Sequence, residues 1–369
     1  MSKGENNLKA IQGAIKEDGA EWQAGSSEIL EMDDQEQDLR LGYVPGDNEP
    51  SLKEKEEAAK INLQEYLASS SSDAFGAPTS YDLRNVGGKN FITAVKNQGS
   101  CGSCVSFGAV ATVEGTLRRL KNNPNLNVDL SEAHLFYCHA RSEGRNCGNG
   151  WWVTPAMNAF KSKGVTDETH YPYTSVDQNC TGLRSGWESA LMKISGFKKI
   201  TSIAQMKTWL STKGPLTACF TVYSDFFGYR SGVYRKTAAA TNRGGHCVTM
   251  VGYSDSGRYW ICKNSWGTNW GDNGYFKIAY GEVGIDNEVW GVEGIVDTGW
   301  VTAKVTGLWA NQAPKNAFVH IVGEGWKRIS PKSETTFYIM LTQLAAAKGA
   351  NKNVRVYKNN GVIVEVYVL

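Results

Sequence analysis

Gln98-Gly99-Ser100-Cys101-Gly102-Ser103-Cys104 runs directly into Val105-Ser106-Phe107-Gly108-Ala109-Val110, and this junction decides the fold. Downstream, Val110, Val113, Leu117 and Leu120 recur at intervals of three and four, which predicts one apolar face of a helix beginning close to Cys104. Arg118, Arg119 and Lys121 fall in its last turns, where positive charge complements the dipole. A cysteine at a helix N-terminus meets free backbone N–H groups and the positive end of the macrodipole, so its pKa is expected to fall. Cys104 is thereby a candidate nucleophile.

A thiolate needs a proton partner, and the chain has five histidines: His134, His139, His170, His246 and His320. Gly244-Gly245-His246 opens the apolar run Cys247-Val248-Thr249-Met250-Val251-Gly252-Tyr253, which sets an imidazole at the rim of a packed strand, behind glycines that admit another backbone. The next strand, Tyr259 to Lys263, ends in Asn264-Ser265-Trp266-Gly267. The Asn264 amide can accept from His246 and fix its tautomer, while the Trp266 indole screens that bond from water. Nucleophile, base and orienting group are then present together. His134, in LSEAHLFYC, is instead expected on a helix capped by Ser131.

These stretches, with NSWGTNWGDNGYFKI, resemble the papain-like (cathepsin-type) cysteine proteases over roughly residues 80–297. His246 follows Cys104 by 142 residues and Asn264 follows it by 160. The resemblance implies a two-lobed α+β fold, a helical lobe and an antiparallel β-barrel lobe with the cleft between. It implies Cys104 as nucleophile, His246 as general base and acid, Asn264 as orienting group and Gln98 as oxyanion donor beside the Cys104 backbone N–H. Val105 departs from the pattern, standing where the family usually carries Trp. Disulfides Cys101 to Cys147 and Cys138 to Cys180 follow from the resemblance, with Cys219, Cys247 and Cys262 as small buried thiols. Cys147-Gly148-Asn149-Gly150-Trp151-Trp152 resembles the family's glycine-rich wall, where an extended peptide pairs antiparallel with Gly150 and where Trp151 and Trp152 line pockets. Gly245 and Trp266 join the substrate-binding set, and Thr298 is placed near the base of the main specificity pocket, where no acidic group is evident.

Two other readings of these residues are disfavoured. Cys101-x-x-Cys104 fits a redox pair or half a zinc site only weakly, because no second C-x-x-C exists and no strand precedes it in a βαβ unit. A Cys-His acyl transferase, or an inactive homologue acting as a binding module, would not call for Gln98, His246 and Asn264 around Cys104. The expectation is an endopeptidase made as a zymogen, a monomer without metal or cofactor, acting on peptides or proteins.

The ends of the chain differ in character. Up to Phe75 there are seven Lys/Arg and seventeen Asp/Glu, an acidic head of net −10 before a basic body, although the whole chain carries only +2. Within the head, Trp22, Ala24 and Gly25, followed by Leu41, Gly42 and Tyr43, resemble the short cathepsin B-type propeptide, a segment that fills the cleft in reverse orientation. Ser69–Ser72 opens a linker suited to cleavage. The expected divisions are 1–77 for the propeptide and linker, 78–297 for the peptidase and 298–369 for a small β-rich module. That last module has no cysteine, nine basic and three acidic residues, and a dispensable or docking role is expected of it. The balanced whole-chain charge gives no sign of a nucleic-acid partner, and no window of about 18 apolar residues suggests a membrane span. Disulfides suit a secreted or lysosome-like compartment, while the first twenty residues lack the apolar core of an export signal.

Overall fold

The computed structural model describes residues 2–69, 76–296, 299–359 and 361–369. Helix α1 (Lys3–Glu17) opens the head with a capping box, Ser2 Oγ accepting from the Glu5 backbone and Glu5 reaching back to the Ser2 N–H. Strand β1 (Gln23–Ala24) follows, then two short helical turns and helix α2 (Leu52–Ala68), capped in the same way by Ser51 and Glu54. Strand β2 (Ser80–Asp82) leads into the body.

Helix α3 (Cys104–Leu120) begins at the expected residue, but its burial differs from the expectation of one apolar face. Every residue from Cys104 to Leu117 is buried, because small residues let neighbours close in on all sides. A Cβ on Gly108 would stand 3.1 Å from Cys247 Sγ, and one on Gly115 would stand 2.6 Å from the Pro215 ring. A π-helical turn, His134–Ala140, and helix α4 (Val153–Ser162) pack around α3 to complete one lobe. Ser131 Oγ accepts from the His134 N–H at 2.9 Å, so the cap is present although the turn is wider than an α-helix. Cys101–Cys147 and Cys138–Cys180 are the disulfides of this lobe.

The second lobe is built on strands β3 (Lys193–Ile200), β4 (Leu216–Tyr223), β5 (Tyr229–Ser231), β6 (Val233–Tyr234), β7 (Asn242–Ser254), β8 (Tyr259–Lys263), β9 (Tyr275–Ala279) and β10 (Glu288–Val296), with helix α5 (Ile203–Thr212) after β3. The larger sheet runs β3-β10-β4-β7-β8-β9-β6 with β2 added to β7, and β4, β7, β8 and β9 pair antiparallel in turn. The helical signals thus precede the strand signals in space as in sequence, an α+β arrangement in two lobes.

The chain divides into two compact units, Met1–Ile295 and Val296–Leu369. The second is a closed barrel of β11 (Gly299–Ala310), β12 (Ala317–Ile321), β13 (Gly325–Ile329), β14 (Asn353–Asn359) and β15 (Val362–Val368), in the order β11-β12-β13-β15-β14. Helix α6 (Glu334–Gly349) lies between β13 and β14 in sequence and adds Phe337, Met340, Leu344 and Ala347 to the barrel core.

Candidate active site

Asn264, just beyond the end of β8, turns its side chain to His246 on β7, and His246 Nε2 lies 2.8 Å from Asn264 Oδ1. That oxygen also accepts the Ser265 backbone N–H at 2.8 Å, which settles which way the carboxamide faces. Nε2 therefore carries the hydrogen, and in a neutral ring the lone pair is on Nδ1, which is buried and has no hydrogen-bond partner among the described residues. Trp266 packs over the imidazole with ring centroids 4.8 Å apart. Removal from water pushes the His246 pKa down to about 4 against a smaller opposing effect of Asn264.

Cys104 sits at the first turn of α3, and the backbone N–H groups of Cys247, Gly42 and Val105 point to its sulfur. The expected fall in its pKa does not occur. Complete burial, reinforced by Cys219, pushes the thiol up to about 12 and outweighs those donors. The covering group is the head itself, whose Gly42 amide abuts the sulfur.

Gln98 is held by four bonds from the body: its N–H donates to the Ser265 carbonyl, its Oε1 accepts from Ser265 Oγ at 2.6 Å, its Nε2 donates to the Cys101 carbonyl at 2.8 Å, and its carbonyl accepts from the Tyr173 hydroxyl at 2.9 Å. The second hydrogen of that amide meets the Arg40 carbonyl of the head at 3.1 Å.

Leu41, Gly42 and Tyr43 run between two walls of this cleft. Gly42 and Tyr43 donate to the Gly245 carbonyl at 3.1 and 3.0 Å, Trp151 donates to the Gly42 carbonyl at 2.8 Å, and Val44 donates to the Trp151 carbonyl at 3.0 Å. Tyr43 bridges Gly245 antiparallel and Trp151 parallel. Gly150, at φ +61°, must be glycine, since a Cβ there would collide with the Gly42 carbonyl.

Two expectations are corrected by these contacts. The Trp151 indole lines no pocket: it is buried in the helical lobe with Nε1 donating to Glu143, and only its backbone faces the head. Trp152 stays partly exposed, with Arg145 over its ring and Gly46 against its edge. Trp22, Ala24 and Gly25 dock away from Cys104. β1 pairs with β5, Gly25 donates to the Gly228 carbonyl, and Trp22 packs on Tyr229 and Tyr234 with Nε1 donating to the Arg235 carbonyl. Flat aromatic surface on that side, continuous through Phe226 to Trp266, explains the choice of seat. Thr298 lies outside the described residues, as does most of the expected cleavage stretch.

The head also engages an acidic group of the body that the sequence reading did not single out. Glu288 on β10 is buried and accepts Lys55 Nζ at 2.5 Å, Lys199 Nζ at 2.8 Å and Trp290 Nε1 at 2.7 Å. Lys55 belongs to the head and also reaches the Tyr43 hydroxyl at 2.6 Å and Glu49 at 2.8 Å. Burial raises the Glu288 pKa, but the two ammonium groups outweigh it and hold the carboxyl below its ordinary value. A third feature left no sequence signal. Cys219 and Cys247 stand opposite each other on β4 and β7 with sulfurs 2.8 Å apart, forming with Cys104 a group of three buried thiols.

A profile of the papain family cysteine proteases matches residues 77–292. The chain is 34% identical over 206 residues to a cathepsin L-like proteinase of Fasciola hepatica, covering 55% of this chain and 60% of that protein, so it spans about 60% of that relative's length. It is 30% identical over 288 residues to cathepsin B of Dictyostelium discoideum, covering 71% of this chain and 86% of that one. Among solved structures, a digestive procathepsin L2 proteinase from the larval midgut of Tenebrio molitor superposes with a TM-score of 0.61 at 26% identity, over 79% of this chain and 90% of that one. With α3 carrying Cys104, β7 carrying His246 and a head laid through the cleft as in a proform, the chain belongs to the papain family of cysteine proteases.

Proposed function

We propose that this chain is a latent cysteine endopeptidase whose own head is its inhibitor. The observation that carries the reading is the His246–Asn264 pair beside Cys104, with Nδ1 left bare and the cleft filled by backbone. Once the head leaves, Cys104 regains solvent and the Coulomb partner it lacks, and its proton passes to His246 Nδ1. The thiolate attacks a peptide carbonyl carbon, a C–S bond forms, and the oxyanion accepts hydrogen bonds from Gln98 Nε2 and the Cys104 N–H. Imidazolium protonates the leaving amine as the C–N bond breaks. Water, deprotonated by His246, then cleaves the thioester and returns the enzyme. A substrate running opposite to the head would pair antiparallel along Gly150 and Trp151.

Latency has a chemical cause in this reading. The head presents an N–H to the sulfur where a substrate presents a carbonyl carbon, and its Arg40 carbonyl occupies the Gln98 donor. Nucleophile and base stay neutral, a thiol at about 12 beside an imidazole at about 4. Incubating the full chain at neutral pH and at about pH 4 to 5, then labelling with a thiolate-selective epoxide, tests both halves of the proposal. Label on Cys104 and peptidase activity should appear only after acid incubation, and the Cys104→Ala chain should fold, take no label and show no turnover. Turnover by that variant refutes the assignment.

A further inference from the structure

The barrel of the C-terminal unit carries two rows of side chains across its outer face. Trp309 on β11 stands opposite Phe318 on β12, which stands opposite Arg328 on β13; one step along, Gly307 stands opposite His320, which stands opposite Trp326. Ala317, Val319 and Ile321 point into the core, so the alternating Phe318 and His320 point outward. Trp309 and Trp326 are 49% and 54% exposed, a costly use of two large aromatic side chains on so small a unit.

The rows are built rather than incidental. Trp309 packs against Phe318 with centroids 5.6 Å apart, and His320 against Trp326 at 5.3 Å. A Cβ on residue 307 would stand 2.7 Å from the Trp326 ring, so glycine there lets the indole lie across β11. His320 Nδ1 is held by Thr306 Oγ1 at 2.6 Å.

The topology gives this face a context. β11 pairs with both β12 and β14, β13 and β15 run parallel, and α6 falls between the third and fourth strands. That is the five-stranded Greek-key barrel whose second and third strands bind oligonucleotides or oligosaccharides. Architecture does not assign a ligand, so the side chains must. Nine basic against three acidic residues from Thr298 onward favour an anion. Arg328, exposed beside Phe318, offers the planar fork that matches a carboxylate. The disulfides of the first unit belong to the chemistry of oxidising compartments, which favours a glycan over a nucleic acid as the anion.

We propose that the outer face of β11, β12 and β13 binds acidic oligosaccharides, with sugar rings seated on Trp309 and Trp326 and a carboxylate on Arg328. The site is independent of the peptidase chemistry. Calorimetric and fluorescence titrations of the full Cys104→Ala chain would use four probes: a sialylated trisaccharide, a uronate tetrasaccharide, a neutral tetrasaccharide of glucose and a single-stranded oligothymidylate. Saturable binding of an acidic sugar is expected, weakened about tenfold or more by Trp326→Ala and by Arg328→Ala, with Arg328→Lys intermediate and thermal melting unchanged in all three. Equal affinity for the neutral sugar, binding of the oligonucleotide alone, or acidic-sugar affinity indifferent to both alanine variants would overturn the assignment.

Discussion

His246 is oriented by one oxygen atom. Asn264 Oδ1 accepts from His246 Nε2 and from the Ser265 N–H, so the side chain is fixed by the backbone it follows. Truncating it leaves the imidazole free to rotate and Nε2 without an acceptor in a buried site, while the nucleophile and the Gln98 donor remain. Asn264→Ala is therefore expected to lower kcat about 10- to 100-fold with little change in KM. Loss as complete as for Cys104→Ala, in a folded protein, would give Asn264 a different role. The grouping of these residues was legible in the sequence because each sits in a local motif: Gln98 to Cys104, Gly244 to His246, Asn264 to Trp266. The thiol pKa was misjudged because the helix terminus is local, whereas the backbone that buries Cys104 comes from Gly42. Glu288, and the meeting of Cys219 with Cys247, depend on strand register, which no single stretch of sequence spells out.

Between elements, the attachment of the head differs from a simple attraction of acid to base. Arg243 on β7 does take Asp38 at 2.7 Å and Gln37 at 3.1 Å, the polarity foreseen from the −10 head. At the far end the polarity reverses, and Lys55 of α2 enters the body to meet Glu288. Glu288 is more acidic docked than free, so its contribution to docking is complete above its ordinary carboxylate value and is lost as pH falls through the lowered one. Release at acid pH is the outcome expected from that sign. Replacing Lys55 by alanine leaves Lys199 as the remaining cation beside a buried carboxylate, which weakens docking and lets Glu288 protonate at higher pH. The onset of activation of Lys55→Ala should move upward by about one pH unit or more, followed by peptidase activity after timed incubations. An unchanged or lower onset would assign the acid trigger elsewhere. The charge asymmetry was visible in composition; the reversed pair was not, because composition sums charges without saying which are buried.

At the level of the whole molecule, each unit has its own apolar core, and the barrel closes on itself without cysteine. A chain ending at Val296 is thus expected to fold, to mature and to hydrolyse small peptides within about twofold of the full chain, with oxidative labelling and melting curves as checks on folding. An insoluble or inactive product would instead make the barrel a brace for the peptidase. The strands of this module were legible from their alternation; their closure was not, since it rests on β13 meeting β15 in parallel across an intervening helix.

One more consequence belongs to the segment Arg40–Val44. Every uncut molecule has this stretch in its cleft, and the linker to be severed is tied on one side to α2 and on the other to β2, which is laddered onto β7. Such a molecule is not expected to bring its own linker to its own sulfur while both anchors hold, so the first cut is expected from a neighbour whose head acid has already loosened from its cleft. Maturation is then expected to behave like an epidemic, with sigmoidal progress curves, a lag that shortens as starting concentration rises, and loss of the lag on adding a trace of already matured protein. A lag that stays constant over a wide dilution series would show each molecule freeing itself.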